Sequence, residues 1–200
     1  IFAFLAVEGY FHTRSFKRYA LRMLLFAVLS EVPFDLMYGG TVFYPVHQNV
    51  IWTLLLGLLG IRLMEAARAK GKRWLYILTC AAVVVLGFAL GTLGMVDYYG
   101  AGVLTVFAFY FFRERKWWCL LGQLAALYWL NVAVLGGQMY PVTLFGREIE
   151  LCEQGLALLA LVPIWLYRGR QGHHSKAFQY ACYAFYPAHM LVLALLTMIQ

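Results

Sequence analysis

Every second connection in this chain is basic, and the connections between them are almost free of Lys and Arg. The basic turns read "HTRSFKR", "RAKGKR", "RERK" and "YRGRQGHHSK"; the others read "YGGTVFYPVHQ", "GTLGMVD" and "GGQMYPVTLFGREIE". With the run-end residues Arg22 and Arg62 counted in, the first set holds 15 of the 16 Lys and Arg, and only Arg147 falls in the second. The apolar runs between them cover 1–12, 16–38, 48–68, 73–93, 98–112, 117–135, 151–167 and 178–199. Alternating basic turns between apolar runs are what the positive-inside rule demands of membrane-spanning helices. The expected fold is therefore an all-α, polytopic membrane helix bundle with the basic turns in the cytoplasm. About seven spans are full. Run 1–12 reaches only ~18 Å at 1.5 Å per residue, so it reads as a truncated first helix. A single domain over 1–200 is expected.

Composition agrees. Hydrophobic residues make up 64% and charged residues 12%, whereas about a quarter of a soluble domain is charged. Aromatic residues gather near the ends of the runs, as interfacial Trp and Tyr do. A net charge of +7 would suggest nucleic acid in a soluble protein. Here the alternation of the turns accounts for it, and no nucleic acid is expected. Cys80, Cys119, Cys152 and Cys182 stand singly with no ligand spacing, so they read as packing residues and no metal is expected. No P-loop, GxSxG, HExxH or GxGxxG motif is present.

The orientation sorts the polar residues by depth. Glu31 and Asp35 lie in the outer part of run 16–38, one turn apart on one face, with Pro33 between them. Tyr38 continues that face. His47, Gln48 and Asn49 follow at the start of the next span, on the same side, and Asp97 occupies another outer turn. His189 in "YAFYPAHMLVLALL" lies near or just beyond the midplane, with Tyr186 on its face. Carboxylates inside a membrane are costly and usually face a cavity, a partner or a pathway. Plainer readings stand beside this one: Asn49 or Gln48 as a helix cap, His189 as an interhelical hydrogen bonder, Glu8 and His12 as an i,i+4 pair, and Gly87, Gly91 and Gly94 as a packing stripe.

"IFAFLAVEGYFHTRSFKRYALRMLLFAVLSEVPFDLMYGG", then "HQNVIWTLLLGLLGIRLME" and the closing "YAFYPAHMLVLALL", resemble the TraX family of bacterial integral membrane proteins. The likeness covers essentially the whole chain and is densest in 1–65 and 180–195. The family is associated with N-acetylation of F-type pilin during conjugation. It is similar to wider transmembrane acyltransferases, including heparan-alpha-glucosaminide N-acetyltransferase. The resemblance implies a multi-pass protein of the bacterial cytoplasmic membrane that takes acetyl from cytoplasmic acetyl-CoA. It also implies that a further N-terminal helix with an Asp-His pair precedes the block that opens this chain.

Residue chemistry and resemblance together set the expectation of an acetyl-CoA-dependent N- or O-acetyltransferase. Its acceptor would be a pilin-like protein or small envelope molecule at the outer side. His47 is the expected general base, with Glu31 or Asp35 orienting it and His189 as the second choice. Gln48, Asn49 and Tyr186 are expected to meet substrate, the first two as oxyanion donors. Arg68, Lys70, Arg73, Arg113 and Arg170 are expected to hold the phosphates of acetyl-CoA. The alternatives are a proton-coupled transporter or a non-catalytic assembly factor.

Overall fold

The computed structural model describes the chain apart from residues 145–146, 168, 170–174 and 200. Helices follow the apolar runs in order: α1 (Phe2–His12), α2 (Phe16–Gly39), α3 (Val50–Ala69), α4 (Arg73–Leu93), α5 (Tyr99–Phe111), α6 (Trp117–Tyr128), α7 (Leu161–Leu166) and α8 (Lys176–Ile199). The all-α bundle is as expected. Four helical segments are long and apolar enough to cross a membrane: Val50–Ala69, Arg73–Leu93, Trp117–Leu135 and Tyr180–Thr197. They make the chain a multi-pass membrane protein, and α4 turns Val85, Leu86 and Leu93 outward where lipid would meet them.

Two of the expected spans are shorter or less regular than a full upright helix. Helix α5 has 13 residues, fewer than the roughly 20 that cross a bilayer core upright. Run 151–167 is not one α-helix. Leu151 and Cys152 belong to a strand, Glu153–Ala160 winds as a 3-10 helix, and only Leu161–Leu166 is α-helical. Pro163 lies in that first α turn, where a missing backbone donor is tolerated. The outer connection before it, read as a plain turn, is a two-stranded antiparallel hairpin of β1 (Met139–Leu144) and β2 (Arg147–Cys152). Gly136 and Gly137, at φ 66° and 114°, end the preceding helix. That helix, α6, widens to π winding over Trp129–Leu135. Asn131 donates its side-chain amide to Leu127 O at 2.8 Å there, competing with the backbone for that carbonyl.

The core is the junction of α3, α4 and α5. Phe107 of α5 is 2% exposed and wedges between Gly60 of α3 and Gly87 of α4. A Cβ at either glycine would stand 2.7 Å from its ring. Gly87 and Gly91 are thus packing residues against α5, as the plainer reading has it, and Gly94 caps α4.

Contacts between elements join ends of the same polarity. At the inner end, the Arg113 guanidinium forks onto Glu8 at 2.7 and 3.3 Å, and Tyr110 donates to Glu65 at 2.6 Å. At the outer end, Gln48 pairs with Val96 in an isolated parallel bridge. Helix α8 lies chiefly along α2, with Tyr183 stacked on Phe26 at 5.0 Å.

Candidate active site

Helix α2 runs through Pro33 and ends at Gly40, whose left-handed φ of 66° lets its amide cap Leu36 O. The chain then folds back, and Asn49 starts α3. Asn49 is fully buried. Its Oδ1 accepts from the Ile51 amide at 3.0 Å. Its Nδ2 donates to Ala27 O at 2.8 Å and to Glu31 Oε2. Trp52 Nε1 donates to the same carboxylate oxygen at 2.9 Å. One amide therefore caps a helix and ties it to α2, and one acid accepts two donors from α3.

Glu31 and Asp35 share a face, yet they serve different partners. Asp35 is 2% exposed, and its Oδ2 accepts from the Tyr44 amide at 3.0 Å, holding the loop after α2. The second oxygens, Glu31 Oε1 and Asp35 Oδ1, are buried without a hydrogen-bond partner.

The acid that faces His47 is Asp97, in place of the expected Glu31 or Asp35. His47 is 7% exposed, and its Nε2 lies 3.4 Å from Asp97 Oδ1. Tyr38 stacks on the imidazole at 4.8 Å and Phe34 at 5.7 Å, while Tyr99 meets it edge-on. The rings fix the imidazole plane. With Nε2 donating to the carboxylate, Nδ1 is left as acceptor.

Asp97 sits in a turn that its surroundings over-determine. Met95, Tyr98 and Tyr99 take φ of 50°, 60° and 51°, a left-handed conformation uncommon outside glycine. Gln48 N donates to Met95 O and Asp97 N to Gln48 O, both at 2.9 Å. Thr53 Oγ1 donates to Asp97 O at 2.8 Å. Strain held this way fixes a side chain in advance. Burial raises the Asp97 carboxyl above the usual carboxylate range, and the bond to His47 pulls part of that back.

The other expected residues divide. Gln48 turns its side-chain amide back to Pro45 O at 3.2 Å. Tyr186 buries its hydroxyl beside the Val50 backbone without a well-aligned hydrogen bond, within electrostatic reach of both Glu31 and Asp97. His189 Nδ1–H donates to Phe185 O at 3.0 Å, and its ring contacts are with Phe185 and Tyr186. Its hydrogen bond and ring contacts stay within α8, so the structure does not join it to His47. The expected phosphate ligands have different surroundings. Arg113 is paired with Glu8 and Arg68 with Glu65. Lys70 and Arg73 flank the α3–α4 turn, and Arg170 lies outside the described residues.

Beneath the outer cluster, an apolar cavity of about 240 Å³ runs between α1, α2, α3 and α8. Phe2, Leu5, Met23 and Leu54 line it, with Arg22 and Tyr19 on one side and Val50 and Tyr186 on the other. Sequence reasoning missed Asp97 as the partner of His47 and the ring cage around it. The available signal was an acid alone in a short outer turn, followed by two tyrosines.

No solved structure matches this chain. Among curated proteins it is similar to "Probable fimbrial assembly protein FimC, serogroup H1" of Dichelobacter nodosus. The two are 26% identical over 203 aligned residues, covering 96% of this chain and 77% of that protein. The family model described as "TraX protein" matches residues 1–197, and the chain belongs to the TraX family.

Proposed function

We propose that this chain is a membrane-embedded acetyltransferase of the bacterial cytoplasmic membrane. It moves acetyl from cytoplasmic acetyl-CoA to an amine or hydroxyl at the outer side. The observation that carries this reading is the His47–Asp97 pair: an imidazole buried among aromatic rings, facing an acid held on a strained, pre-set turn. The relative's name, a fimbrial assembly protein, supports a pilin-like protein as acceptor.

An amine arrives protonated and must first lose that proton to solvent. His47 Nδ1 then accepts the second proton as the nitrogen attacks the thioester carbonyl carbon. Asp97 stabilises the imidazolium that results. The carbonyl π pair moves to oxygen, and Tyr186 Oη is the free donor to meet that charge. Asn49 is unsuited to this task, because its cap and its two donated bonds already use its amide. As the C–S bond breaks, the sulfur leaves with its electron pair and takes the proton from His47. The products are the acetylated amine and free thiol.

A transporter would need a polar route from one side to the other, and the cavity between Arg22 and Tyr186 is mostly apolar. A non-catalytic assembly factor is the second reading, favoured by the structural use of Asn49 and Glu31. Membranes containing the full-length protein, given radiolabelled acetyl-CoA, decide between them. Label should pass to protein or acceptor, and His47→Ala should abolish the transfer. Label that stays on the thioester with the wild type refutes catalysis.

A further inference from the structure

We propose that the cleft at the inner end of α1 and α2 is an organic-phosphate site. It would take the phosphorylated head of the acyl donor and feed its arm into the adjoining cavity. The cleft measures about 450 Å³ and is lined by His12, Arg14, Ser15, Arg18 and Arg22 among others. Arg18 and Arg22 lie one turn apart on α2, where like charges repel, and Arg14 stands just before the Ser15 cap of that helix. Among the described residues none of the three forms an ion pair with an acid, whereas Arg113 and Arg68 do. Charge on an inner turn is explained by topology; a cleft walled by three unneutralised guanidinium groups is better explained by an anion. Guanidinium forks match phosphate oxygens bidentately.

The second observation is what lies beyond the cleft. Tyr19 and Arg22 wall both it and the apolar cavity that ends at Val50 and Tyr186. From Arg22 to Glu31 is nine helical steps, ~13.5 Å. A phosphate held at Arg22 therefore leaves a slender arm the right distance to bring its tip to the outer cluster. At that tip the buried, poorly bonded hydroxyl of Tyr186 is placed to meet a carbonyl. A phosphorylated head, a flexible arm and a terminal carbonyl describe a coenzyme A thioester. An anionic lipid carries the same phosphate, but its two tails belong in the bilayer rather than in one narrow cavity. The identity of the arm's cargo rests on the acetyl-transfer reading; the phosphate site does not.

The test uses the full chain in phosphatidylcholine nanodiscs, with coenzyme A binding measured calorimetrically. Arg14→Gln/Arg18→Gln should weaken binding by about tenfold or more, and Lys72→Gln, in another basic turn, should leave it unchanged. Leu54→Trp, which fills the cavity, should weaken coenzyme A but spare adenosine 3′,5′-diphosphate. Burial of the Cys119 thiol reports whether each variant is folded, and Arg14→Gln alone, in an exposed turn, serves if the double variant is not. Wild-type affinity in the arginine variants, no binding by the wild type, or full displacement by added phosphatidylglycerol overturns the proposal. Acetyl transfer measured in parallel separates the two ideas. Transfer at unchanged KM in the arginine variants sinks the cleft and leaves the enzyme standing. Arginine-dependent binding without transfer does the reverse.

Discussion

Replacing Asn49 by alanine should destabilise the fold more than any other single polar change at the outer end. Asn49→Ala removes three bonds at once. The lost cap on Ile51 N costs ~1 kcal/mol. The bond to Glu31 is made to a carboxylate, and bonds to charged groups contribute ~1.5–3 kcal/mol. The bond to Ala27 O adds little, since that carbonyl already serves the α2 ladder. The sum is ~3 kcal/mol, and Trp52 still holds Glu31, which keeps the figure from rising further. For a chain of this size each kcal/mol lowers Tm by ~2–4 °C, so a drop of ~6–12 °C is expected. The assay is thermal unfolding in detergent, followed by reaction of a thiol dye with Cys119, which is fully buried in the fold. Asn49→Ser keeps an oxygen for the cap and should recover only the first part. Paired with Glu31→Gln in a double-mutant cycle, Asn49→Ala should show a coupling of at least ~1 kcal/mol. A Tm drop under ~2 °C, or purely additive effects, would refute the reasoning that Asn49 locks α3 to Glu31.

Asp97→Asn gives a pH signature. Because burial raises this carboxyl, the folded state binds its proton more readily than the unfolded chain. Stability is greatest with the group neutral, and it falls as pH rises from the ordinary Asp value through the raised one. The wild type should lose Tm relative to Asp97→Asn across that window, and parallel profiles would contradict the burial argument. In acetyl transfer, the same variant should lower kcat while leaving the donor's KM near wild type, since Asp97 acts through His47; an unchanged kcat removes it from the mechanism. Gly60→Val places a Cβ against the Phe107 ring at 2.7 Å and should cost ~1–3 kcal/mol of overpacking, read by the Cys119 assay. Glu8→Gln breaks the forked pair with Arg113, whose side chain is 35% exposed, so after screening the expected loss is ~1 kcal/mol; it should shrink in high salt.

The order of helices and the sorting of charge by depth were legible in the sequence because both repeat along the whole chain. Residues 139–152 were not, because a six-residue alternation beside Gly136–Gly137 is too brief to stand out from an ordinary turn. Leu151 and Cys152 were drawn into the following run by their apolarity alone. Asp97 was visible as an outer acid. That it, rather than Glu31 or Asp35, would face His47 depends on the bridge between Gln48 and Val96, a contact between residues 48 positions apart. The inner arginines look interchangeable in one dimension. Only the ion pairs distinguish Arg113, which Glu8 occupies, from Arg18 and Arg22, which no described acid meets.

The same distinction governs what the outer cluster can do. A side chain whose donors and acceptors are all used holds the fold; one with an atom to spare can meet a ligand. Asn49 belongs to the first group. Glu31 and Asp35 are divided, with one oxygen bonded to the scaffold and the other buried and bare. In a low-dielectric site a bare polar atom costs about 1–3 kcal/mol, a cost the fold would shed if nothing used it. Four such atoms, Ser30 Oγ, Glu31 Oε1, Asp35 Oδ1 and Tyr186 Oη, occur on the outer part of α2 and on the α8 helix beside it. His47 stands near them in the loop before α3, facing Asp97 on a turn that resists moving. An arrangement that fixes its base and leaves its other polar atoms unspent is organised around something that arrives from outside the chain.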